Sequence, residues 1–239
     1  MKAVVLAAGK GERLRGIVDA VPKPMIKVGG KPILEHNIEW LRDYGIKDLY
    51  INLHHLPDVI RNYFGAGERF GVRIAYSYEN QLLGTAGAVR KIADECWGNE
   101  SPRPFLVVYG DNLLSDFNLS DLIGFHQTKH GLATICLYHK PEEVLKSGVV
   151  LLGSQGRVLK FVEKPYPGQV QSDLVNTGVY VLEPAILRYI PPDCSSDFGK
   201  DVFPAAIDAG ERLFGLVVDA DLIAIDTPEL YEKVLGSGR

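Results

Sequence analysis

The chain has few cysteines, and they are scattered. Cys96, Cys136 and Cys194 show no C-x-x-C and no Cys/His pairing at zinc-site spacing, so neither a disulfide framework nor a zinc module is expected. The thiols read as small buried apolar groups in a reducing compartment. No apolar run approaches the ~20 residues that span a bilayer. The apolar start, Ala3 to Ala8, is too short for a signal peptide and runs into Gly9-Lys10-Gly11-Glu12-Arg13 rather than a small-residue cleavage site. A basic excess is also missing: 26 Lys and Arg stand against 30 Asp and Glu, a net charge of −4. That balance argues against a nucleic-acid backbone as partner, because such surfaces are usually basic. No internal repeat, low-complexity tract or linker interrupts the chain. A cytoplasmic protein without membrane or nucleic-acid partners is expected.

What is present is globular. The chain has 239 residues, 46% hydrophobic and 23% charged, which excludes a disordered or fibrous protein. A chain of this length buries roughly 70–75% of its unfolded surface. Short apolar runs alternate with longer amphipathic stretches, the pattern of a mostly parallel sheet covered by helices. Strands are expected at Lys2–Ala8, Asp48–Leu53, Val72–Tyr76 and Phe105–Tyr109. Helices are expected at Pro32–Tyr44, closed by Gly45, and at Val59–Phe64, Thr85–Cys96 and Leu119–Lys129. Strand-like runs then crowd together: Ala133–Tyr138, Val149–Leu152, Val158–Glu163 and Val175–Leu182. A weak helix around Pro204, an apolar stretch Leu213–Val218 and a final helix Thr227–Leu235 complete the chain. One domain over residues 1–239 is expected, with a more regular half to about residue 130 and a strand-rich half after it.

The segment Leu6-Ala7-Ala8-Gly9-Lys10-Gly11-Glu12-Arg13-Leu14 directly follows the first strand. Glycines there let the backbone turn sharply and bring N–H groups near an anion. In an open parallel sheet the ligand crevice lies beyond the carboxyl ends of the strands. An ordinary glycine-rich turn is the competing reading. Two familiar motifs are excluded: Leu14 occupies the third glycine position of a dinucleotide fingerprint, and no G-x-x-x-x-G-K-[ST] occurs. The loop instead carries Arg13 and is followed by Pro22-Lys23-Pro24, where the prolines restrict the backbone around Lys23. A rigid cation near a glycine loop suits a polyphosphate; a solvated surface lysine is the plainer alternative. Asp111 ends a buried strand, where a carboxylate is costly unless it binds something, with a helix cap as its alternative role.

These segments, with Gly29-Gly30-Lys31-Pro32-Ile33-Leu34, resemble the signature of the sugar-phosphate nucleotidylyltransferases, closest to short mannose- and heptose-1-phosphate guanylyltransferase-like members. The resemblance continues in order through Glu79 to Ala88 (E-N-Q-L-L-G-T-A-G-A), Gly110-Asp111-Asn112, Glu163-Lys164-Pro165 and Asn176-Thr177-Gly178. Single triplets are weak signals, but several in the right order and spacing are specific. The resemblance implies a Rossmann-like, mixed and mostly parallel α/β sheet of glycosyltransferase-A type, with a strand-rich sugar-binding insertion. It also implies a reaction in which a sugar 1-phosphate attacks the α-phosphorus of a nucleoside triphosphate (NTP) and releases pyrophosphate. The attacking monoester is already mostly dianionic above pH ~6, so no general base is required. Charge neutralisation and in-line placement are what catalysis then needs.

The resemblance assigns roles residue by residue. Leu6, Ala7, Ala8, Gly9 and Gly11 form the nucleotide loop. Arg13 faces the β- and γ-phosphates and Lys23 the α-phosphate, a polydentate and a point-charge cation respectively. Glu79, Gly84 and Thr85 surround the base. Lys164 grips the sugar phosphate, Gly148, Glu163 and Asn176 contact sugar hydroxyls, and Thr177 lies alongside. Asp111 is the expected ligand of Mg²⁺. Relatives read D-I-G-T-P-E or D-I-D-T-P-E near the C-terminus, whereas this chain has Ala224-Ile225-Asp226-Thr227-Pro228-Glu229. Ala224 therefore stands where the first Asp of that motif would be, and Asp226 becomes the expected second metal ligand, with Asp219 and Asp221 as substitutes. That departure also leaves room for a non-catalytic sensor of the same fold.

The substrate expectation is GTP with a mannose- or heptose-type sugar 1-phosphate, and uridylyl or thymidylyl transfer is the alternative. No β-helix of the kind that larger relatives carry is expected, and a homo-oligomer is a possible assembly. The six histidines, including His54-His55, show no ligand spacing and read as hydrogen-bonded or surface groups. Asp197, in Ser196-Asp197-Phe198-Gly199-Lys200, reads as a helix cap.

Overall fold

In the computed structural model the residues described are 1–9, 11, 21–98, 103–113, 118–219 and 223–224. Strand β1 (Lys2–Leu6) is followed by the short pair β2 (Lys27–Val28) and β3 (Lys31–Pro32). Helix α1 (Ile33–Asp43) forms because Ile33, Leu34, Ile38 and Leu41 recur on one buried face, and Gly45 closes it by donating its N–H to Arg42 O at 2.8 Å. Then come β4 (Asp48–Leu53), α2 (Pro57–Phe64), which opens on a proline, and β5 (Arg73–Tyr78). Helix α3 (Gly84–Cys96), β6 (Phe105–Tyr109), β7 (Asn112–Leu113) and α4 (Leu119–Lys129) follow. The Asn118 side chain caps α4 by accepting from Ser120 N. The strand-rich stretch holds β8 (Ala133–His139), β9 (Gly148–Leu152), β10 (Val158–Glu163) and β11 (Leu174–Leu182). A π-helical turn, Phe198–Val202, leads into α5 (Phe203–Asp208), then β12 (Leu213–Val217) and β13 (Ile223–Ala224).

Two compact units emerge. The first comprises residues 1–82, 108–115 and 221–239, the second residues 83–107 and 116–220, so β6 gives its first three residues to the second unit and its last two to the first. In the first unit β1 pairs with β4 and β4 with β5, both parallel, and β1, buried at successive positions, is accordingly a near-continuous apolar run. In the second, β10 pairs antiparallel with β9 and β11 antiparallel with β8 and β9, while β12 runs parallel to β8. Tyr180, Phe198, Phe203 and Phe161 pack as an aromatic cluster there, with ring centroids 5.1–5.5 Å apart. The expected mixed α/β architecture, parallel strands plus a strand-rich insertion, is the one observed.

Differences from the expected elements are local. The first strand ends at Leu6 rather than Ala8, because the Ala7 N–H leaves the ladder for a side chain. The expected helix Thr227–Leu235 lies outside the described residues. The thiols are not uniformly buried: Cys136 is, and burial pushes it up to about 12, but Cys194 is exposed on an irregular segment. Among the described residues no helix is long and apolar enough to cross a membrane.

Candidate functional site

The first unit gathers the residues expected to meet a triphosphate. Leu6, Ala7 and Ala8 are buried at the carboxyl end of β1, and the chain emerges at exposed Gly9 and at Gly11, whose φ is +61°. Lys23 sits in a 3-10 turn, Lys23–Met25, between two buried prolines, and is only 6% exposed. A buried ammonium needs a partner. Lys23 Nζ donates to Asp111 Oδ2 at 2.6 Å. Asp111 follows β6 in a turn whose Gly110 N–H is held by Leu6 O at 2.9 Å, so the carboxylate is fixed at the end of the strand beside β1. It does not act as a helix cap. Arg13 and Asp226, expected as a catalytic cation and a second metal ligand, lie outside the described residues.

The position of the motif departure is described. Ala224 on β13 pairs antiparallel with Asn112, the residue after Asp111. Asn37 on α1 donates from Nδ2 to Asn112 O at 2.9 Å and steadies that strand. The chain thus carries alanine, with no ligating atom, at the backbone position across from the Asp111–Asn112 segment. Among the described residues no three His, Cys, Asp or Glu side chains cluster as a metal cage. A single strand-end carboxylate, partly exposed, still suits Mg²⁺, which is commonly held by one or two carboxylates plus substrate phosphates.

Glu79 is 1% exposed and does not project freely. Its Oε1 accepts from Asn52 Nδ2 at 2.7 Å, and its backbone carbonyl accepts from His54 Nδ1 at 2.8 Å. Asn52 belongs to none of the motifs; an amide inside the apolar run Ile51-Asn52-Leu53 is its one signal in the sequence.

In the second unit, Gly84 opens α3 with φ +72°, a left-handed conformation that glycine adopts without penalty. A Cβ there would collide with the backbone carbonyl of Ser196. Ser196 O accepts from Ala86 N and Gly87 N at 2.9 and 3.1 Å, so the chain itself occupies the amino end of α3. Thr85 Oγ1 donates to Asp197 Oδ2 and accepts from Phe198 N, both at 2.9 Å. Asp197 Oδ1 accepts from Gly199 N and Lys200 N at 2.9 and 3.3 Å, which makes Asp197 the cap that its sequence context suggested.

The sugar-phosphate candidates share neighbouring strands. Gly148 and Glu163 are cross-strand partners on β9 and β10, and Val175, next to Asn176, pairs with Val149. Glu163 Oε2 lies against Gly148 and Gly199, where an added Cβ would come within 2.9 and 2.8 Å of it. Burial, then the nearby Asp197 charge, pushes the Glu163 carboxyl up, while Lys164 and Lys200 pull it back. Lys164 is exposed and holds φ at +49°, a strained conformation for a side-chain-bearing residue, and its N–H is fixed to Ser147 O at 3.0 Å. Asn176 is oriented at both ends of its amide: Nδ2 donates to Tyr180 Oη at 2.7 Å and Oδ1 accepts from Gly178 N at 2.9 Å. Thr177 is buried, and its hydroxyl spans Cys136 O and Val179 N. The unit therefore brings Gly148, Glu163, Lys164 and Asn176 together and turns Thr177 inward. Lys200 and Asp197, beside Glu163, were not among the expected site residues.

Known proteins resemble this arrangement as wholes. The family model for nucleotidyl transferases matches residues 2–221. A UTP–glucose-1-phosphate uridylyltransferase of Synechocystis is 37% identical over 99% of this chain and 63% of its own length. The catalytic subunit beta of mannose-1-phosphate guanylyltransferase from Dictyostelium discoideum is 34% identical over 99% of this chain and 64% of its own. The chain thus spans a little under two thirds of these relatives. Among solved structures, HddC from Yersinia pseudotuberculosis complexed with GMP-PN superposes with a TM-score of 0.80 at 25% identity, covering 100% of this chain and 99% of that one. A UDP-glucose pyrophosphorylase complexed with UDP-glucose shares the fold with a TM-score of 0.84 at 21% identity, covering 99% and 97%. Family model, relatives and fold agree: the chain belongs to the nucleotidyl transferase family.

Proposed function

We propose that this chain transfers a nucleotidyl group from an NTP to a sugar 1-phosphate, giving a nucleoside-diphosphate sugar and pyrophosphate. A phosphate oxygen of the sugar 1-phosphate forms the new bond to the α-phosphorus, and the bond from that phosphorus to the bridging oxygen of pyrophosphate breaks. The observation that carries this reading is the Lys23–Asp111 pair at the end of β6, a dry cation and a strand-end carboxylate 2.6 Å apart next to the glycine loop. Lys23 would neutralise charge on the α-phosphate, and Arg13 would stabilise departing pyrophosphate. Leu6, Ala7, Ala8, Gly9 and Gly11 would line the nucleotide, with Glu79, Gly84 and Thr85 around the base. Gly148, Glu163, Lys164 and Asn176 would hold the sugar phosphate, supported by Thr177. On this reading residues 1–239 act as one nucleotidyltransferase domain.

Mg²⁺ is the proposed cofactor, held by Asp111 with Asp226 as second ligand; when bound it offsets the mutual repulsion of the two phosphorylated substrates. The proposed donor is GTP and the proposed acceptor a mannose- or heptose-type sugar 1-phosphate in the cytoplasm. Support comes from the L-L-G-T-A-G-A-V segment and from the guanylyltransferase among the similar proteins. Uridylyl transfer is the competing substrate reading, favoured by the Synechocystis relative. A non-catalytic nucleotide-sugar sensor is the competing class, favoured by Ala224.

A pyrophosphate-release matrix of NTPs against sugar 1-phosphates with Mg²⁺ tests all three. Release with GTP and a mannose- or heptose-type acceptor supports the reading, and release with UTP alone replaces the donor. Binding of nucleotide sugar without any release selects the sensor. In the active pair, Lys23→Met and Asp111→Asn should each lower turnover by ~10²-fold or more, the scale of losing one preorganised electrostatic contact, with circular dichroism unchanged. Near-normal rates in either variant would discredit the role given to the pair.

A further inference from the structure

We infer that Asn52 is a positioning residue for the nucleotide loop, its carboxamide linking the Ala7 amide to the Glu79 carboxyl across the carboxyl ends of three adjacent parallel strands. This rests on the reading of that loop as the NTP-binding segment. The register makes the link lateral: Leu6, the last residue of β1, is opposite Asn52 on β4, and Asn52 is opposite Ser77 on β5. One residue past Leu6, Ala7 N donates to Asn52 Oδ1 at 2.7 Å, and Asn52 Nδ2 donates to Glu79 Oε1 at 2.7 Å. Asn52 is 4% exposed, and the Glu79 backbone is held by Leu53 O, which accepts its N–H at 2.8 Å.

The chemistry of each atom permits one orientation. A backbone N–H only donates, so the amide oxygen must face Ala7, which leaves the amide nitrogen for the carboxyl. The Ala7 amide thereby fixes which way the carboxamide of Asn52 faces, Glu79 anchors its other end, and Asn52 sets where β1 stops and the loop begins. An apolar residue would suit the run Ile51-x-Leu53 better as core. The amide stands instead opposite Leu6, where the chain leaves β1 for the loop and where a misplacement of about 1 Å is enough to cost binding and rate. The same network accounts for the burial of Glu79, which reaches the loop through Asn52.

A double-mutant cycle tests the relay, with KM measured separately for GTP with Mg²⁺ (or the NTP active in the matrix) and for the sugar 1-phosphate. Asn52→Leu removes both hydrogen bonds of the relay, and should raise the KM for NTP about tenfold while the KM for sugar 1-phosphate stays within twofold. Asn52→Asp sets two carboxyl groups against each other and should do the same. In the Glu79→Gln background, however, the carboxylate introduced by N52D can accept from both Ala7 N and the new amide. There N52D should change the NTP KM by less than threefold relative to E79Q alone. Three outcomes overturn the inference: an unchanged NTP KM in N52L, an equal rise in both KM values, or no rescue of N52D by E79Q. If the wild type releases no pyrophosphate with any pair, the catalytic reading fails. The same cycle read in GTP–Mg²⁺ dissociation constants then decides the relay, and a wild type that binds no nucleotide overturns it.

Discussion

At the scale of single residues, half-buried charge has a cost that pH reveals. Glu163 has its carboxyl pushed up by burial and by Asp197. The folded protein therefore holds that proton more tightly than the unfolded chain does. The stability this supplies is full below the ordinary carboxylate range, near 4.5, and is lost as pH rises through the raised folded value. At neutral pH an ionised Glu163 is thus a net cost to the fold. Glu163→Gln should unfold at higher temperature than the wild type at pH 7, with the difference shrinking as the pH is lowered toward 4.5. It should also raise the KM for sugar 1-phosphate. Thermal unfolding monitored across pH, beside steady-state kinetics, checks both signs. A lower unfolding temperature at pH 7 would mean that the charge is already satisfied within the protein. Lys164 makes the same point in its backbone: its left-handed φ carries a cost of ~1–2 kcal/mol. The triplet Glu163-Lys164-Pro165 stood out in the sequence as a candidate, but its backbone strain did not, because φ is not written in residue identity.

At the scale of elements, α3 shows how the start of a helix is locked from a distant part of the chain. Ser196 O takes the Ala86 and Gly87 amides, and Thr85 and Asp197 bond reciprocally with the start of the π-helical turn. Asp197→Ala should cost ~1 kcal/mol for the lost cap alone. In a protein of this size that corresponds to roughly 2–4 °C in unfolding temperature. Gly84→Ala should be worse, since the left-handed backbone and the collision with Ser196 O add together. Differential scanning calorimetry ranks them, and Gly84→Ala milder than Asp197→Ala would refute this account of the helix start. The elements themselves were largely legible. Asp48–Leu53, Phe105–Tyr109, Leu119–Lys129 and Val158–Glu163 match their expected spans, because apolar periodicity and flanking glycine or asparagine report local physics. The early end of β1 was not legible, since it depends on an amide 45 positions away reaching Ala7.

At the scale of the whole molecule, the proposed reaction would divide charge neutralisation between protein and Mg²⁺. One or two carboxylates do not hold Mg²⁺ tightly without substrate phosphates. Chelation by EDTA should therefore abolish pyrophosphate release yet leave the unfolding midpoint of the nucleotide-free protein unchanged, since a ligand stabilises only what it binds. A marked fall in that midpoint on chelation would reveal a resident metal and a different role for Asp111. By itself the amino-acid order determined the α/β alternation, the glycine loop with its flanking cations, and the run of motifs that marks the family, all of which are written in neighbouring residues. Tertiary structure alone decided that Lys23 is dry against Asp111 and that Ala224 stands across from Asn112. It also decided that Glu79 is joined to Asn52 and that the Thr177 hydroxyl is spent on the backbone of its own core. Those are matters of which distant atoms meet, and burial and hydrogen-bond directionality settle them only once the chain has folded.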